Sequence, residues 1–320
     1  MSISVPSVDF NDGTKIPTVG MGCWMGTFGG GERVYEMCKK ALKAGYRHFD
    51  TAAGYQNEAE VGRAIRDSGI PRSEIYITTK LPQSMHGNVQ ESLEKSLRDL
   101  DSEYVDLYLM HWPQATKTVS FQGPDGETFT FRPDEHPTIV DTWKDMEKLL
   151  ASGKVKTIGV SNFSIKTLEQ LLSQCNVVPA TNQVECHPCL PQEDLKKYCD
   201  EKKIPLTAYS PLGQGPFLLN KSTIKAIAED LHVTPAQVLI SWAAQRGTIV
   251  IPKSENEERM TANIKLVKLS DAQVAQIDGI HLQPGMHKSL LGYHQPDGTV
   301  FDWSYGELGW NMLKGGVVPT

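Results

Sequence analysis

The chain has 320 residues, of which 39% are hydrophobic and 22% are charged, and its formal net charge at pH 7 is −6. This composition is typical of a soluble globular protein built as one α/β barrel or as two smaller domains. No apolar run approaches the length of about 18 residues that a membrane span needs, and the acidic balance argues against nucleic-acid binding. The segment MSISVPSVDFNDGTK has no basic start or apolar core, so we predict no secretory signal and a cytoplasmic protein.

Short β-branched or aromatic runs alternate with helical patterns along the chain. A β-hairpin with its turn at Asp12-Gly13 is predicted first, at residues 5–16. Strands are predicted at residues 18–22, 46–50, 74–80, 105–111, 155–161, 181–185, 206–209 and 248–251. Helical patterns cover residues 32–44, 58–68, 89–100, 138–152, 166–174, 192–202, 222–231, 235–245 and 257–267. This alternation favours a parallel sheet. We predict a (β/α)8 TIM barrel, residues 1–320 as one domain, with a doubly wound open sheet as the alternative.

Two segments interrupt the alternating pattern. One is the insertion at residues 114–137, which carries Phe121, Phe129 and Phe131, and the other is a long C-terminal loop from about residue 280 to residue 320. Because loops after barrel strands line barrel sites, both segments are candidates for substrate selection. Packing of their aromatic side chains onto the barrel is the structural alternative.

The six cysteines do not form a pattern typical of a disulfide-rich protein. Cys186-His187-Pro188-Cys189 has the C-x-x-C spacing of zinc and redox sites. A zinc site needs a second pair, and a redox motif opens a helix directly after a strand. Neither condition is met here, so we predict a structural role and no metal.

Polar and aromatic residues cluster just past the predicted strand ends, where a parallel barrel would bring them to one face. In chain order they include Trp24, Asp50, Tyr55, Lys80, His111, Trp112, Ser161, Asn162, Gln183, Tyr209, Ser210, Lys253 and Ser254. Any one of them alone is explained by capping or by a satisfied polar group. Their recurrence at the strand ends points instead to a catalytic face.

The chain resembles the aldo-keto reductases from about residue 18 to residue 265. The matching segments are Gly20-Met21-Gly22-Cys23-Trp24, Phe49-Asp50-Thr51-Ala52-Ala53-Gly54-Tyr55, Lys80, Asp106-Leu107-Tyr108-Leu109-Met110-His111-Trp112-Pro113, Gly159-Val160-Ser161-Asn162-Phe163, Asn182-Gln183-Val184-Glu185, Ala208-Tyr209-Ser210-Pro211-Leu212-Gly213, and Ile251-Pro252-Lys253-Ser254 through Arg259 and Asn263. The resemblance implies metal-free, reversible hydride transfer between NADP(H) and a small aldehyde, ketone or alcohol.

The resemblance further implies that Tyr55 is the general acid. A free phenol has a pKa of about 10, which a neighbouring cation lowers, and Lys80 is the matching residue. Asp50 would pair with the Lys80 ammonium, and His111 would orient the carbonyl oxygen. A structural salt bridge and a core histidine are the alternatives for these residues.

For the cofactor, the resemblance assigns the nicotinamide carboxamide to Ser161, Asn162 and Gln183, with Tyr209 stacking on the ring. Ser210, Leu212 and Gly213 would lead into a segment over the pyrophosphate. Lys253, Ser254, Asn256 and Arg259 would surround an adenosine 2′-phosphate, with Asn263 beside the adenine. The run Gly29-Gly30-Gly31 is interpreted as a flexible turn.

Two positions depart from this pattern. Ala262 replaces a glutamate that contacts adenine in many relatives, and Glu255 lies among the expected phosphate ligands. We expect the Glu255 side chain to point outward, because an inward carboxylate would repel a phosphate. NADPH preference is therefore expected but not absolute.

Trp24, Trp112 and Phe217 predict an aromatic wall around the substrate. We predict a reductase of aldehydes or ketones, acting as a monomer or weak homodimer. Three alternatives stay open: alcohol or polyol oxidation, a cofactor-binding barrel subunit without turnover, and Schiff-base chemistry at Lys80. The first uses the same residues in reverse, the second predicts loss of the proton-donor set, and the third leaves Tyr209 and Arg259 without a ligand.

Overall fold

A computed structural model describes residues 5–117 and 129–319 of the protein. Within these residues a sheet of eight parallel strands runs in the order in which the strands follow in the chain. The strands are β3 (Met21–Gly22), β4 (His48–Asp50), β5 (Tyr76–Leu81), β6 (Val105–Met110), β7 (Val155–Ser161), β8 (Asn182–Glu185), β9 (Leu206–Tyr209) and β10 (Ile249–Val250). All eight predicted strands are present, several of them shorter than predicted.

The sheet closes on itself through backbone bonds between its first and last strands. The Gly20 amide donates to the Val250 carbonyl at 2.8 Å, and the Val250 amide donates to the Thr18 carbonyl at 2.8 Å. Val19 and Val250 pair as a parallel bridge at this seam. The predicted (β/α)8 barrel is confirmed.

The helices α1 to α12 follow in chain order. They are α1 (Glu32–Ala44), α2 (Glu58–Asp67), α3 (Val89–Leu100), α4 (Ile139–Leu149), α5 (Ile165–Leu172), α6 (Glu193–Glu201), α7 (Pro216–Leu219), α8 (Ser222–Asp230), α9 (Pro235–Gln245), α10 (Glu257–Asn263), α11 (Asp271–Asp278) and α12 (Tyr305–Leu308). Several begin at side-chain caps: Thr234 before α9 and Ser270 before α11 each accept a hydrogen bond from the backbone amide three residues on. No helix in the described ranges is long and apolar enough to cross a membrane.

Alternate residues of β6 belong to two different cores, as the two-residue period of a strand requires. Tyr108 and Met110 pack in the large core between the sheet and the helices. Leu107 and Leu109 pack in a smaller core with Phe10 of the N-terminal segment. The hairpin of β1 (Ser7–Asp9) and β2 (Lys15–Pro17), which turns at Asp12-Gly13 as predicted, holds this segment against the barrel strands.

The insertion and the C-terminal tail pack on one another. The Phe129 amide donates to Asp302 at 2.9 Å, and the Trp303 indole donates to the Phe131 carbonyl at 2.8 Å. The tail also forms a small hairpin of β11 (Thr299–Val300) and β12 (Trp303–Ser304), which the sequence pattern does not predict. Phe121 lies outside the described residues. Trp303 packs in one cluster with Trp112 and bonds to the Phe131 carbonyl. These contacts agree with the alternative in which the aromatic side chains serve packing.

Gly62 in α2 marks a close approach of two helices. A Cβ at this position would lie 2.1 Å from the Leu100 carbonyl oxygen at the end of α3. Although alanine favours helices over glycine, this clash with backbone outweighs the propensity. We expect Gly62→Ala to lower the free energy of unfolding by about 1–3 kcal/mol, measured by chemical denaturation. Gly306→Ala in α12, where a Cβ meets only Ser304 Oγ at 4.0 Å, is the control; equal losses would contradict the explanation.

His86 couples stability to pH. It is 1% exposed and its ring nitrogens have no hydrogen-bond partner among the described residues, and burial lowers its pKa to about 3. Between that pKa and the unfolded value of about 6.5 the unfolded chain binds the extra proton, so stability falls as pH falls, by up to about 1.4 kcal/mol per pH unit. His86→Leu should flatten the pH dependence of the free energy of unfolding between pH 6.5 and 4. A slope identical to that of the native chain would refute this origin.

Candidate active site

The polar strand ends meet at one face of the barrel. Residues from six neighbouring strands take part: Asp50 ends β4, Lys80 lies in β5, His111 follows β6, Ser161 ends β7, Gln183 lies in β8 and Tyr209 ends β9. Hydrogen bonds link β4 to β5, β4 to β8, and Asn162, directly after β7, to β9. The convergence expected from parallel strand ends is therefore present.

The centre of this face is a buried ion pair. Lys80 Nζ lies 2.5 Å from Asp50 Oδ1 and 2.8 Å from the Thr51 carbonyl oxygen, and both charged side chains are almost completely buried. Burial alone would lower the pKa of Lys80, but the Asp50 carboxylate and the nearby Tyr55 together outweigh burial and raise that pKa above its ordinary value. Lys80 is therefore a fixed, charged ammonium.

Gln183 supports this pair from across the barrel. Its Nε2 donates to Asp50 Oδ2 at 2.7 Å, so the second carboxylate oxygen has a partner as well. The family resemblance implies that Gln183 holds a cofactor carboxamide; the structure adds a contact with Asp50 that no local pattern signals, since the two residues are 133 positions apart.

Tyr55 lies in a 3-10 turn, Ala53–Tyr55, at the edge of the ion pair. Its hydroxyl is 3.5 Å from Lys80 Nζ, and its ring lies 5.6 Å from the His111 ring and 5.1 Å from the Trp24 ring, centroid to centroid. Removal of the hydroxyl from water raises the pKa of Tyr55, and the opposing effect of Lys80 offsets this only in part. The phenol is protonated at neutral pH.

His111 faces the Tyr55 ring as a neutral imidazole. Burial lowers its pKa well below the ordinary value, and the Lys80 charge lowers it further. A neutral imidazole beside a protonated phenol provides two neighbouring hydrogen-bonding groups, with the Lys80 ammonium near the phenol hydroxyl. This arrangement suits an oxygen atom on which negative charge develops.

The loop after β3 carries a further aromatic residue beside Trp24. Phe28 packs edge-on against Trp24 with a centroid distance of 5.5 Å and is 57% exposed. The Gly29 amide donates to the Tyr55 carbonyl at 2.8 Å, so the glycine run is tied to the Tyr55 turn. Phe28 is not among the residues predicted from the sequence; its position between Trp24 and the glycine run was the available signal.

The other two expected wall residues lie in different surroundings. Trp112 is 7% exposed and packs in a cluster with the tail, with its ring 5.2 Å from Tyr293 and 4.8 Å from Phe301. Phe217 lies in α7, 39% exposed, with Lys221 Nζ 4.5 Å above its ring. No ring contact within the described residues joins Phe217 to either tryptophan.

A second hydrogen-bond network adjoins the first. Asn162, which has a left-handed backbone (φ 66°), donates to the His111 carbonyl at 2.9 Å and accepts from the Tyr209 hydroxyl at 2.7 Å. Ser161 donates to the Gln183 carbonyl at 2.8 Å. A cavity of about 310 Å³ borders Asn162 and Tyr209 on the side of the tail.

The tail is anchored to this network through Glu185 at the end of β8. Its carboxylate accepts from Ser289 at 2.6 Å, from the Leu290 amide at 2.8 Å and from the Tyr293 hydroxyl at 3.3 Å. Burial would raise the pKa of Glu185, but these bonds and one with His187 outweigh it and lower that pKa. The Tyr293 hydroxyl lies 3.0 Å from that of Tyr209, so tail and strand end are in direct contact.

The segment after Tyr209 turns sharply. Ser210 has a left-handed backbone (φ 49°) and its carbonyl accepts from the Gly213 amide at 2.8 Å. A Cβ on Gly213 would lie 2.7 Å from Leu218 and 2.8 Å from Leu290. Leu212 packs against the large core. Residues 210–213 are therefore held by a backbone hydrogen bond and by packing against the core.

The residues after β10 form a cationic rim around the start of α10. Asn256 caps α10, accepting from the Arg259 amide at 2.9 Å, and Ser254 Oγ accepts from the Asn256 amide at 3.3 Å. Arg259 is exposed and makes no ion pair within the described residues. The Asn263 carboxamide oxygen is buried without a hydrogen-bond partner there, which leaves an acceptor for a donor group such as an adenine amine. This set fits an adenosine phosphate.

Glu255 does not point away from this rim, and that expectation was wrong. Its Oε1 lies 2.5 Å from Lys253 Nζ, and its Oε2 lies 2.5 Å from Arg33 Nε. The attraction of two cations is stronger than any preference for solvent. Arg33, at the start of α1, is 222 positions away from Glu255, and no sequence pattern pairs them.

The cysteine cluster forms no site of its own. Cys186 and Cys189 are buried and free, and burial raises the pKa of both thiols. His187 between them bonds to Glu185 at 2.8 Å. These contacts are those of core residues.

The fold and the site define a class of protein, and sequence comparison agrees. A sequence model described as the aldo/keto reductase family matches residues 18–281, and the chain belongs to this family of oxidoreductases.

Among its relatives, the aldehyde reductase YPR1 of Saccharomyces cerevisiae is 44% identical over 289 residues, covering 87% of this chain and 91% of that protein. The glycerol 2-dehydrogenase (NADP(+)) of the same yeast is 42% identical over 292 residues, covering 88% of this chain and 93% of that protein. The structure of a Bombyx mori aldo-keto reductase in complex with NADP is similar at a TM-score of 0.78 and 33% identity, covering 87% of this chain and 93% of that one.

Removal of the Asp50 charge would leave the Lys80 ammonium buried without a counter-ion. We expect Asp50→Asn to lower the free energy of unfolding by about 3–5 kcal/mol. Asp99→Asn removes the carboxylate of an exposed pair with Lys95 and should change it by less than about 1 kcal/mol. Urea denaturation of both variants tests this. Similar losses in the free energy of unfolding would show that the buried pair contributes no more to stability than the exposed pair.

Proposed function

We propose that the protein reduces small aldehydes or ketones to alcohols with NADPH, using Tyr55 as the proton donor. The observation that carries this proposal is the buried Asp50–Lys80 pair, with a protonated Tyr55 at its edge and a neutral His111 beside the Tyr55 ring. These groups have the charges that carbonyl reduction requires of its acid and its oxygen-binding donor.

In the proposed mechanism, NADPH supplies the hydride when bound. The carbonyl oxygen accepts hydrogen bonds from Tyr55 and His111, which orient it and stabilise its developing charge. Tyr55 then gives its proton to that oxygen. The phenolate left behind is stabilised by the Lys80 ammonium, which is 3.5 Å away and held by Asp50.

We also propose which residues hold each part of the NADPH cofactor. Ser161, Asn162 and Gln183 are proposed to hold the carboxamide, with Tyr209 against the ring. Ser210, Leu212 and Gly213 are proposed to lie along the pyrophosphate. Lys253, Ser254, Asn256 and Arg259 are proposed for the 2′-phosphate, and Asn263 for the adenine. The exposed Arg259 favours this assignment, as does the Asn263 oxygen, which has no hydrogen-bond partner among the described residues, and a similar structure contains NADP.

For the substrate, we propose that Trp24 and Phe28 form an aromatic wall in mutual contact, and that Trp112 and Phe217 line the pocket separately. An apolar wall around one polar point favours aliphatic and aromatic carbonyl compounds over highly polar ones. Trp24 contacts the Tyr55 ring directly, so a substrate that reaches the Tyr55 hydroxyl meets this wall.

Alcohol oxidation is a second candidate, because a relative named glycerol 2-dehydrogenase (NADP(+)) is 42% identical. The same residues serve both directions, with Tyr55 then accepting the proton. Initial rates with an aldehyde and NADPH, and with glycerol and NADP, separate the two. A barrel subunit without turnover is disfavoured, since Asp50, Tyr55, Lys80 and His111 are all in place.

We also propose that residues 1–320 form one domain, and that the protein is a cytoplasmic monomer or weak homodimer. Light scattering after gel filtration across a range of concentrations tests the oligomeric state. A dimer that persists on dilution would refute it.

Tyr55→Phe removes the proton donor and keeps the ring. We expect the rate of aldehyde-dependent NADPH oxidation to fall by about 10²- to 10⁴-fold, with the Kd for NADPH unchanged within about twofold. Tyr104→Phe, directly before β6 at the opposite end of the barrel, is the matched control and should keep full activity. Turnover that survives in the Tyr55 variant would overturn the assignment of Tyr55.

A further inference from the structure

Three charged side chains form an ionic cluster at the cationic rim around the start of α10. Glu255 Oε1 accepts from Lys253 at 2.5 Å and from Arg33 Nη2 at 2.6 Å, while Glu255 Oε2 accepts from Arg33 Nε at 2.5 Å. The guanidinium therefore binds the carboxylate through two donors, whereas Lys253 contributes one. We refer to Arg33, Lys253 and Glu255 as the rim triad.

The rim triad contains a residue that the proposed function needs. Lys253 is one of the two cations, with Arg259, proposed for a 2′-phosphate. Its ammonium is partly neutralised by Glu255, and a phosphate bound there would meet a carboxylate within a few ångströms. Hydrogen bonds and charge from Arg33 and Lys253 lower the pKa of Glu255 to about 2, so the carboxylate is ionised throughout the neutral range.

We propose that Glu255 limits the preference of this enzyme for 2′-phosphorylated nicotinamide cofactors by competing with the phosphate for Lys253. The proposal rests on the cofactor assignment made above. It makes Glu255 a specificity-determining residue, because its repulsion acts on NADPH, which has the extra phosphate, and much less on NADH, which has a hydroxyl there.

Arg33 acts in the opposite direction. Its bidentate bond holds the Glu255 carboxylate from the side of α1 and offsets its charge. Without Arg33, Lys253 is the remaining partner of Glu255 in the rim triad, and the competition with a phosphate becomes stronger. The two residues therefore have opposite effects on binding of the same ligand, which a purely structural role would not produce.

The test measures binding, so it does not depend on turnover. Isothermal titration with adenosine 2′,5′-bisphosphate and adenosine 5′-monophosphate isolates the contribution of the 2′-phosphate, and quenching of tryptophan fluorescence gives the Kd for NADPH and NADH. The variants are Glu255→Gln and Arg33→Gln. Glu257 and Lys43 form a separate ion pair nearby at 2.7 Å, so Glu257→Gln and Lys43→Gln make the same charge changes outside the rim triad.

We expect Glu255→Gln to tighten binding of the bisphosphate and NADPH by roughly three- to tenfold, with less than a twofold change for the monophosphate and NADH. Arg33→Gln should weaken binding of the two 2′-phosphorylated ligands. Because the rim triad is partly exposed, the differences should shrink at 0.5 M salt. Each control variant should give less than half the effect of its partner.

Equal effects of Glu255→Gln and Glu257→Gln would overturn the proposal, since net charge alone would then explain the result. Unchanged or weakened NADPH binding in Glu255→Gln would overturn it as well. Both results leave the proposed reductase function intact. If the native chain binds neither nicotinamide cofactor, the cofactor assignment itself fails, and this inference fails with it.

Discussion

The arrangement of the active face depends on one buried charge. An ammonium removed from water is destabilising by several kcal/mol unless its partners are in place, and Lys80 has a carboxylate and a backbone carbonyl within 2.8 Å. Asp50 in turn needs a donor for its second oxygen, which Gln183 supplies from β8. The requirement to satisfy one cation thus fixes side chains from three strands, and the Tyr55 hydroxyl takes its position relative to that fixed charge.

The buried Asp50–Lys80 pair also explains why the centre of the barrel face and the surrounding loops differ in structure. The centre is held by short bonds between strand ends, which leaves the loops free to differ in what they contact. The loop after β3 contributes Trp24 and Phe28, and the tail surrounds Trp112. The rim after β10 carries cations at its surface. The proposed proton donor, substrate wall and cofactor rim therefore lie on separate segments of one barrel.

Much of this could be predicted from sequence because the signals are local. The alternation of β-branched or aromatic runs with helical patterns located all eight strands of the sheet. Asp50 and Lys80 lie at strand ends, where parallel topology alone brings them together. The contacts of Gln183 with Asp50 and of Arg33 with Glu255 join residues far apart in the chain, so no local sequence pattern predicts them. Glu255 was misjudged because its strongest partner, Arg33, lies on α1.

The attachment of the tail has a different electrostatic character from the ion pairs at the surface. Glu185 is buried, and the groups by which the tail reaches it are a serine hydroxyl, a backbone amide and a tyrosine hydroxyl, all of them uncharged. Dissolved ions screen attraction between exposed charges but have little access to such a site. This attachment of the tail at Glu185 is therefore expected to be insensitive to ionic strength.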